Sequence, residues 1–170
     1  MLKSTSLILT ALSGLALTIT AQQPGDLDPT FGTGGKVITQ FGGLLESSYG
    51  NSIAVYPGGD FVVAGDHATY DPTDTIDPYD QDIVVVRYDK DGALDNTFGS
   101  NGIVTMDLGM GYESINSVAL QADGKIMLAG YAGIYPNYDF LLVRLNPDGT
   151  PDNSFGQNGI VIPPSSGILL

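Results

Sequence analysis

Six aspartates crowd one short stretch of the chain: Asp66, Asp71, Asp74, Asp77, Asp80 and Asp82 supply six of its 19 acidic residues. Carboxylate oxygens are hard donors, and a calcium ion takes about six to eight oxygen ligands. Asp71, Asp74, Asp77 and Asp80 are therefore the candidate metal ligands, and calcium is the one cofactor the sequence suggests. Their spacing follows no known calcium loop. Pro72 and Pro78 each come directly after an aspartate, which favours extended, solvated chain. The second reading is accordingly an acidic surface loop running from Asp66 to Asp82.

Another pattern recurs along the chain instead of clustering. Arg87 and Arg144 each stand eight residues before an aspartate, Asp95 and Asp152. A buried guanidinium needs a carboxylate, and the planar fork of arginine fits one well. The pairs Arg87 with Asp95 and Arg144 with Asp152 are expected to clamp a turn onto the sheet beneath it. A third aspartate, Asp28, has Thr20 where its arginine would stand, so it is either solvated or completed by a neighbouring subunit. Phe31, Phe98 and Phe155 follow these aspartates and read as core plugs. A ligand-stacking role for these repeated aromatics is the alternative. Residues that return with every unit read as structural, because an active site is needed only once.

For catalysis the sequence excludes more than it offers. The chain has no cysteine, and its sole histidine, His67, sits in the acidic stretch, which leaves a Ser-His-Asp arrangement without a credible base. Paired carboxylates could cleave glycosides, and a glycan-processing enzyme is the alternative function. No spacing selects a pair, so no catalytic residue is named. Asp89-Lys90-Asp91-Gly92 echoes part of a calcium loop, but Arg87 occupies the place of its first ligand. It reads as a turn.

These residues ride on an internal repeat. Asp28-Pro29-Thr30-Phe31-Gly32, Asp95-Asn96-Thr97-Phe98-Gly99 and Asp152-Asn153-Ser154-Phe155-Gly156 are near copies, and the glycines after them, Gly35, Gly102 and Gly159, are 67 and 57 residues apart. Repeats at such a period stack to bury a shared core. Four strands are expected per unit: Lys36 to Phe41, Ser52 to Tyr56, Phe61 to Gly65 and Ile83 to Tyr88. Their second-unit matches are Ile103 to Leu108, Ser117 to Gln121, Ile126 to Gly130 and Phe140 to Leu145, and Ile160 to Ile162 begins a third. Ile83 to Val86 and Phe140 to Val143 are apolar on both faces, so each must be covered twice. The fold class is all-β, with propeller-type blades of four antiparallel strands, two complete and part of a third.

Leu94-Asp95-x-x-Phe98-Gly99-x-x-Gly102, Ala122-Asp123-Gly124-Lys125 leading to Ala129-Gly130, and Asp139-Phe140 leading to Arg144-Leu145-Asn146-Pro147-Asp148-Gly149 resemble the bacterial delta-60 repeats. The resemblance implies a scaffold of secreted bacterial proteins and no single activity. Such proteins commonly carry long arrays with an adhesion or sorting segment. Here the units run about 26–94 and 95–151, a partial one covers 152–162, and a tail, 163–170, carries no recognisable module.

Met1 to Ala21 reads as a secretory signal peptide, one lysine before an apolar stretch and small residues, with cleavage after Ala21. The repeat domain is then 22–162, and the setting secreted, periplasmic or extracellular. A formal net charge of −13, one unit more negative once Lys3 leaves, repels nucleic acid and anionic lipid. Two blades alone leave apolar faces bare. The expected partners are further copies of the chain closing a ring, and an extracellular glycan or protein; a fragment of a longer array is the other reading.

Overall fold

A computed structural model describes residues 24–41, 46–70, 72–73 and 79–163. The expected signal peptide, the tail beyond residue 163, and Asp71, Asp74 and Asp77 lie outside the described residues. Within them there is no helix, and the strands are β1 (Ser47–Val55), β2 (Phe61–Tyr70), β3 (Tyr79–Tyr88), β4 (Ile103–Met106), β5 (Tyr112–Leu120), β6 (Ile126–Ile134), β7 (Asn137–Leu145) and β8 (Ile160–Val161).

Tight turns connect β1 to β2 and β5 to β6, with matching backbone bonds from Tyr56 N to Asp60 O and from Gln121 N to Lys125 O, both 2.8 Å. β1, β2, β3 and β4 pair antiparallel in that order. β5, β6, β7 and β8 repeat the arrangement. The result is two propeller-type blades of four antiparallel strands, joined at one parallel bridge between Gln81 and Tyr112 and left open as a sheet. Each blade takes its fourth strand from the start of the following unit.

That stagger explains a departure from expectation. Lys36 to Phe41 is not a strand; it makes only an isolated bridge between Lys36 and Gly32. Its repeat mates, β4 and β8, pair with the blade before them, and no earlier blade exists among the described residues. Val37 and Phe41 pack instead on Val84, Val86 and Tyr88.

The acidic stretch departs as well. Much of the expected loop is the far end of the β2–β3 hairpin, whose register runs from Asp66 opposite Ile83 to Tyr70 opposite Tyr79. The Tyr70 and Tyr79 rings sit 5.1 Å apart across its tip, and an aromatic cross-strand pair of this kind stabilises the ladder by up to about 1 kcal/mol. Asp66, Asp80 and Asp82 are thus strand residues.

The core lies between the blades. Val62, Ala64, Ile83 and Val85 of the first and Leu128, Leu141 and Val143 of the second are fully buried together. β3 is covered on both faces. β7 is not: Leu141 and Val143 face the first blade, whereas Phe140 is 69 % exposed because no blade lies beyond it among the described residues. β1 and β5 each bulge, at Gly50/Ser52 and Ile115/Ser117. The bulged carbonyls of Tyr49 and Ser114 come so close to Gly65 and Gly130 that a Cβ on either glycine would lie 1.8 Å from the oxygen.

Candidate functional site

The repeated aspartates share one local design. Asp28, Asp95 and Asp152 each turn Oδ1 back to the amide and hydroxyl two residues on, Thr30, Thr97 or Ser154, at 2.6–3.0 Å. These bonds favour the carboxylate and hold the pKa of Asp28 and of Asp95 below the usual carboxylate range. Asp152 is lowered further, first by Lys125 and then by Ser154.

Arginine then closes two of the three. Arg87 Nε donates to Asp95 Oδ2 and Arg144 Nε to Asp152 Oδ2, each at 2.6 Å. The two guanidinium carbons lie 5.1 Å and 4.6 Å from the Phe98 and Phe155 ring centres, within cation–π range. Lys125 joins the second clamp, its Nζ 2.8 Å from Asp152 Oδ2. The sequence reading missed Lys125, because its counterpart in the first unit is Asp60, which accepts instead from Lys90 N. Asp89 Oδ1 accepts from the amides of Asp91 and Ala93 at 3.0 and 2.8 Å, so this calcium-loop echo is a turn.

His67 bridges Ser48 Oγ, 2.8 Å from Nδ1, and Glu46, 3.5 Å from Nε2. The cavity beside Ser48 is about 170 Å³, below the roughly 300 Å³ at which ligand pockets begin. The row ties β1 to β2. Asp66, buried, accepts from Asn51 Nδ2 at 2.8 Å and Ser114 Oγ at 2.6 Å, which stitches the first blade to the second.

A second joint between units recurs. Gly32 N donates to Asp91 O and Gly99 N to Asp148 O, both at 2.8 Å. Gly92 and Gly149 thereby press into sockets made by Phe31 with Val37 and by Phe98 with Val104, where a Cβ would come within 2.5 and 2.8 Å of the valine. The third socket has the same backbone, with φ 53° at Gly156 as at Gly99, and it opens on a cavity of about 510 Å³ lined by Ile160, Val161 and Ile162. Gly25 holds the place of Gly92 and Gly149 in the repeat and shares their conformation, φ 94° against 89° and 88°. A Cβ there would meet nothing within 4 Å. One socket and one turn are each without a mate among the described residues.

Of the expected metal ligands only Asp80 is described, and it lies on β3 beside Asp82 and close to Glu113 of β5. Glu113 escaped the sequence reading because it belongs to the other unit, far from the acidic run. Burial is the main cause that raises the pKa of Asp82 and of Glu113.

Residues 79–98 and 121–155 match a family described as "Domain of unknown function (DUF5122) beta-propeller". The chain carries propeller-type repeats. The matched stretches contain both arginine clamps, Arg87 with Asp95 and Arg144 with Asp152. No curated protein matches the chain. No helix among the described residues is long and apolar enough to cross a membrane.

Proposed function

We propose that the chain is a secreted binding or structural scaffold whose propeller is completed by further copies of itself. One comparison carries the reading. Val62, Ala64, Ile83 and Val85 of the first blade are fully buried by the second. Their repeat mates are less covered: Met127, Ala129 and Leu142 are only half-buried, and Phe140 is 69 % exposed. Covering an apolar side chain of this size contributes about 1.5–3 kcal/mol, so a neighbouring blade is the stabilising occupant. The other end is also apolar at its surface, with Ile53 and Val55 about 60 % exposed.

Three copies would bring six blades together, inside the range of about four to eight at which propellers close. The likeness of the repeat phrases to delta-60 repeats supports a secreted scaffold, and the acidic surface favours a glycan or protein partner over nucleic acid.

Light scattering on the full chain tests the reading. The expected mass is a discrete multiple of 17.8 kDa, falling to one copy in Phe140→Asp. A compact single copy at micromolar concentration, unchanged by Phe140→Asp, overturns it. A glycan array should show binding without release of reducing sugar; release abolished by one aspartate substitution would establish the enzyme instead.

A further inference from the structure

Asp80, Asp82 and Glu113 meet where the two blades join, directly beside the Gln81–Tyr112 bridge. One carboxylate oxygen from each lies within 4.8 Å of the others. That span is about twice a calcium–oxygen distance of roughly 2.3–2.6 Å, so a single ion can touch all three.

Two of these groups have oxygens with nothing to bind. Glu113 is 0 % exposed; Met110 N donates to its Oε1 at 2.8 Å and the Leu108 backbone also favours its carboxylate, yet its Oε2 is buried without a hydrogen-bond partner among the described residues. Asp82 Oδ1 is buried and unpartnered too. An orphaned carboxylate oxygen is costly in a dry interior. The surrounding charge does not relieve it: Asp80 and Asp107 both oppose ionisation of Asp82, against His67, which favours it. A proton could satisfy one oxygen. A dication would satisfy all three carboxylates and offset most of their charge.

We propose that Asp80, Asp82 and Glu113 bind a divalent cation of the calcium type, which pins the two blades together. Three carboxylates, one buried (Glu113) and two half-buried with a side open to water (Asp80 and Asp82), suit calcium, whereas magnesium keeps most of its waters and takes one or two carboxylates. One copy supplies all three carboxylates, so the site does not depend on assembly for them.

The test uses the full chain stripped with a chelator, then titrated calorimetrically with CaCl2 or MgCl2 and melted with and without each. Single-site calcium uptake and a raised melting temperature are expected, with magnesium at least about tenfold weaker. Glu113→Gln keeps the shape and the Met110 bond, so it should retain the wild-type circular dichroism and lose the calcium response. Asp82→Asn is the second variant should Glu113→Gln fail to fold. The pair Asp74→Asn and Asp77→Asn should keep the response. Absence of uptake, unchanged uptake in Glu113→Gln or Asp82→Asn, equal affinity for magnesium, or loss confined to the Asp74/Asp77 variant would each overturn the assignment.

Discussion

The arginine clamp shows how one residue type holds a turn. Arg144 is mostly buried, with side-chain exposure of 20 %, and it contacts Asp152, Ser154 and the Phe155 ring at once. Arg144→Met removes the fork while keeping the stem, so the melting temperature should fall by about 5 °C; an unchanged melt discards the clamp. Because folding lowers the pKa of Asp95 and Asp152, their contribution is complete above the unfolded value near 4 and is lost as the pH falls from there through the lower folded values. Melting temperature followed from about pH 5 to 2 should therefore drop less steeply in Asp95→Asn/Asp152→Asn than in wild type. A parallel drop would move the acid sensitivity elsewhere. The Arg–Asp pairs were legible because their spacing of eight residues is kept in both units. Lys125 and Glu113 were not, since each acts across a distance the sequence does not display: one reaches from a hairpin turn, the other from a different blade.

Elements, too, were readable only as far as the repeat repeats. Of the expected Ser117 to Gln121 all but Gln121, which begins the turn, lies in β5, and Ile126 to Gly130 lies in β6, but β5 starts earlier and β6 ends later than expected, because a hairpin ladder continues while partners remain opposite. The acidic stretch misled for a related reason. Aspartates and prolines mark turns locally, yet Asp66 lies buried in a ladder, with Asn51 and Ser114 satisfying its carboxylate. Cross-strand pairing overrode propensity. The same ladder fixes two glycines: at Gly65 and Gly130 any Cβ meets a bulged backbone carbonyl that has nowhere to go. Gly130→Ala should destabilise the fold by about 3 kcal/mol, read by denaturant midpoint. Gly58→Ala, a turn position with nothing within 4 Å, should leave the midpoint nearly unchanged. Equal effects would show that the bulges are not rigid.

At the scale of the whole molecule, the repeated joint predicts how copies meet. Inside one chain, Gly92 and Gly149 enter their sockets with no room for a Cβ, and the carbonyl before each accepts the glycine amide of the socket. Gly25 has the same shape in open space, and Gly156 offers the matching amide and cavity. Head-to-tail contact between Gly25 of one copy and Gly156 of the next extends the internal joint by one step, and a heterologous contact of this kind closes into a ring when its rotation allows. Closure adds a final joint without ordering another free copy, which favours the ring over open chains. The charge of −13 on each copy opposes it, so assembly should strengthen with salt as repulsion is screened. Gly25→Ala isolates the joint. Among the described residues of its own chain the new methyl meets nothing within 4 Å, and at an exposed turn the positive φ costs only about 1–2 kcal/mol. In a neighbour's socket it would face the contacts that exclude a Cβ at Gly149. Light scattering across a dilution series should show assembly weakened at least about tenfold, equivalent to roughly 1.4 kcal/mol, while the circular dichroism of the dilute protein stays that of wild type. Gly149→Ala should instead unfold the single chain. Assembly of Gly25→Ala as tight as wild type would show that copies meet by a different surface.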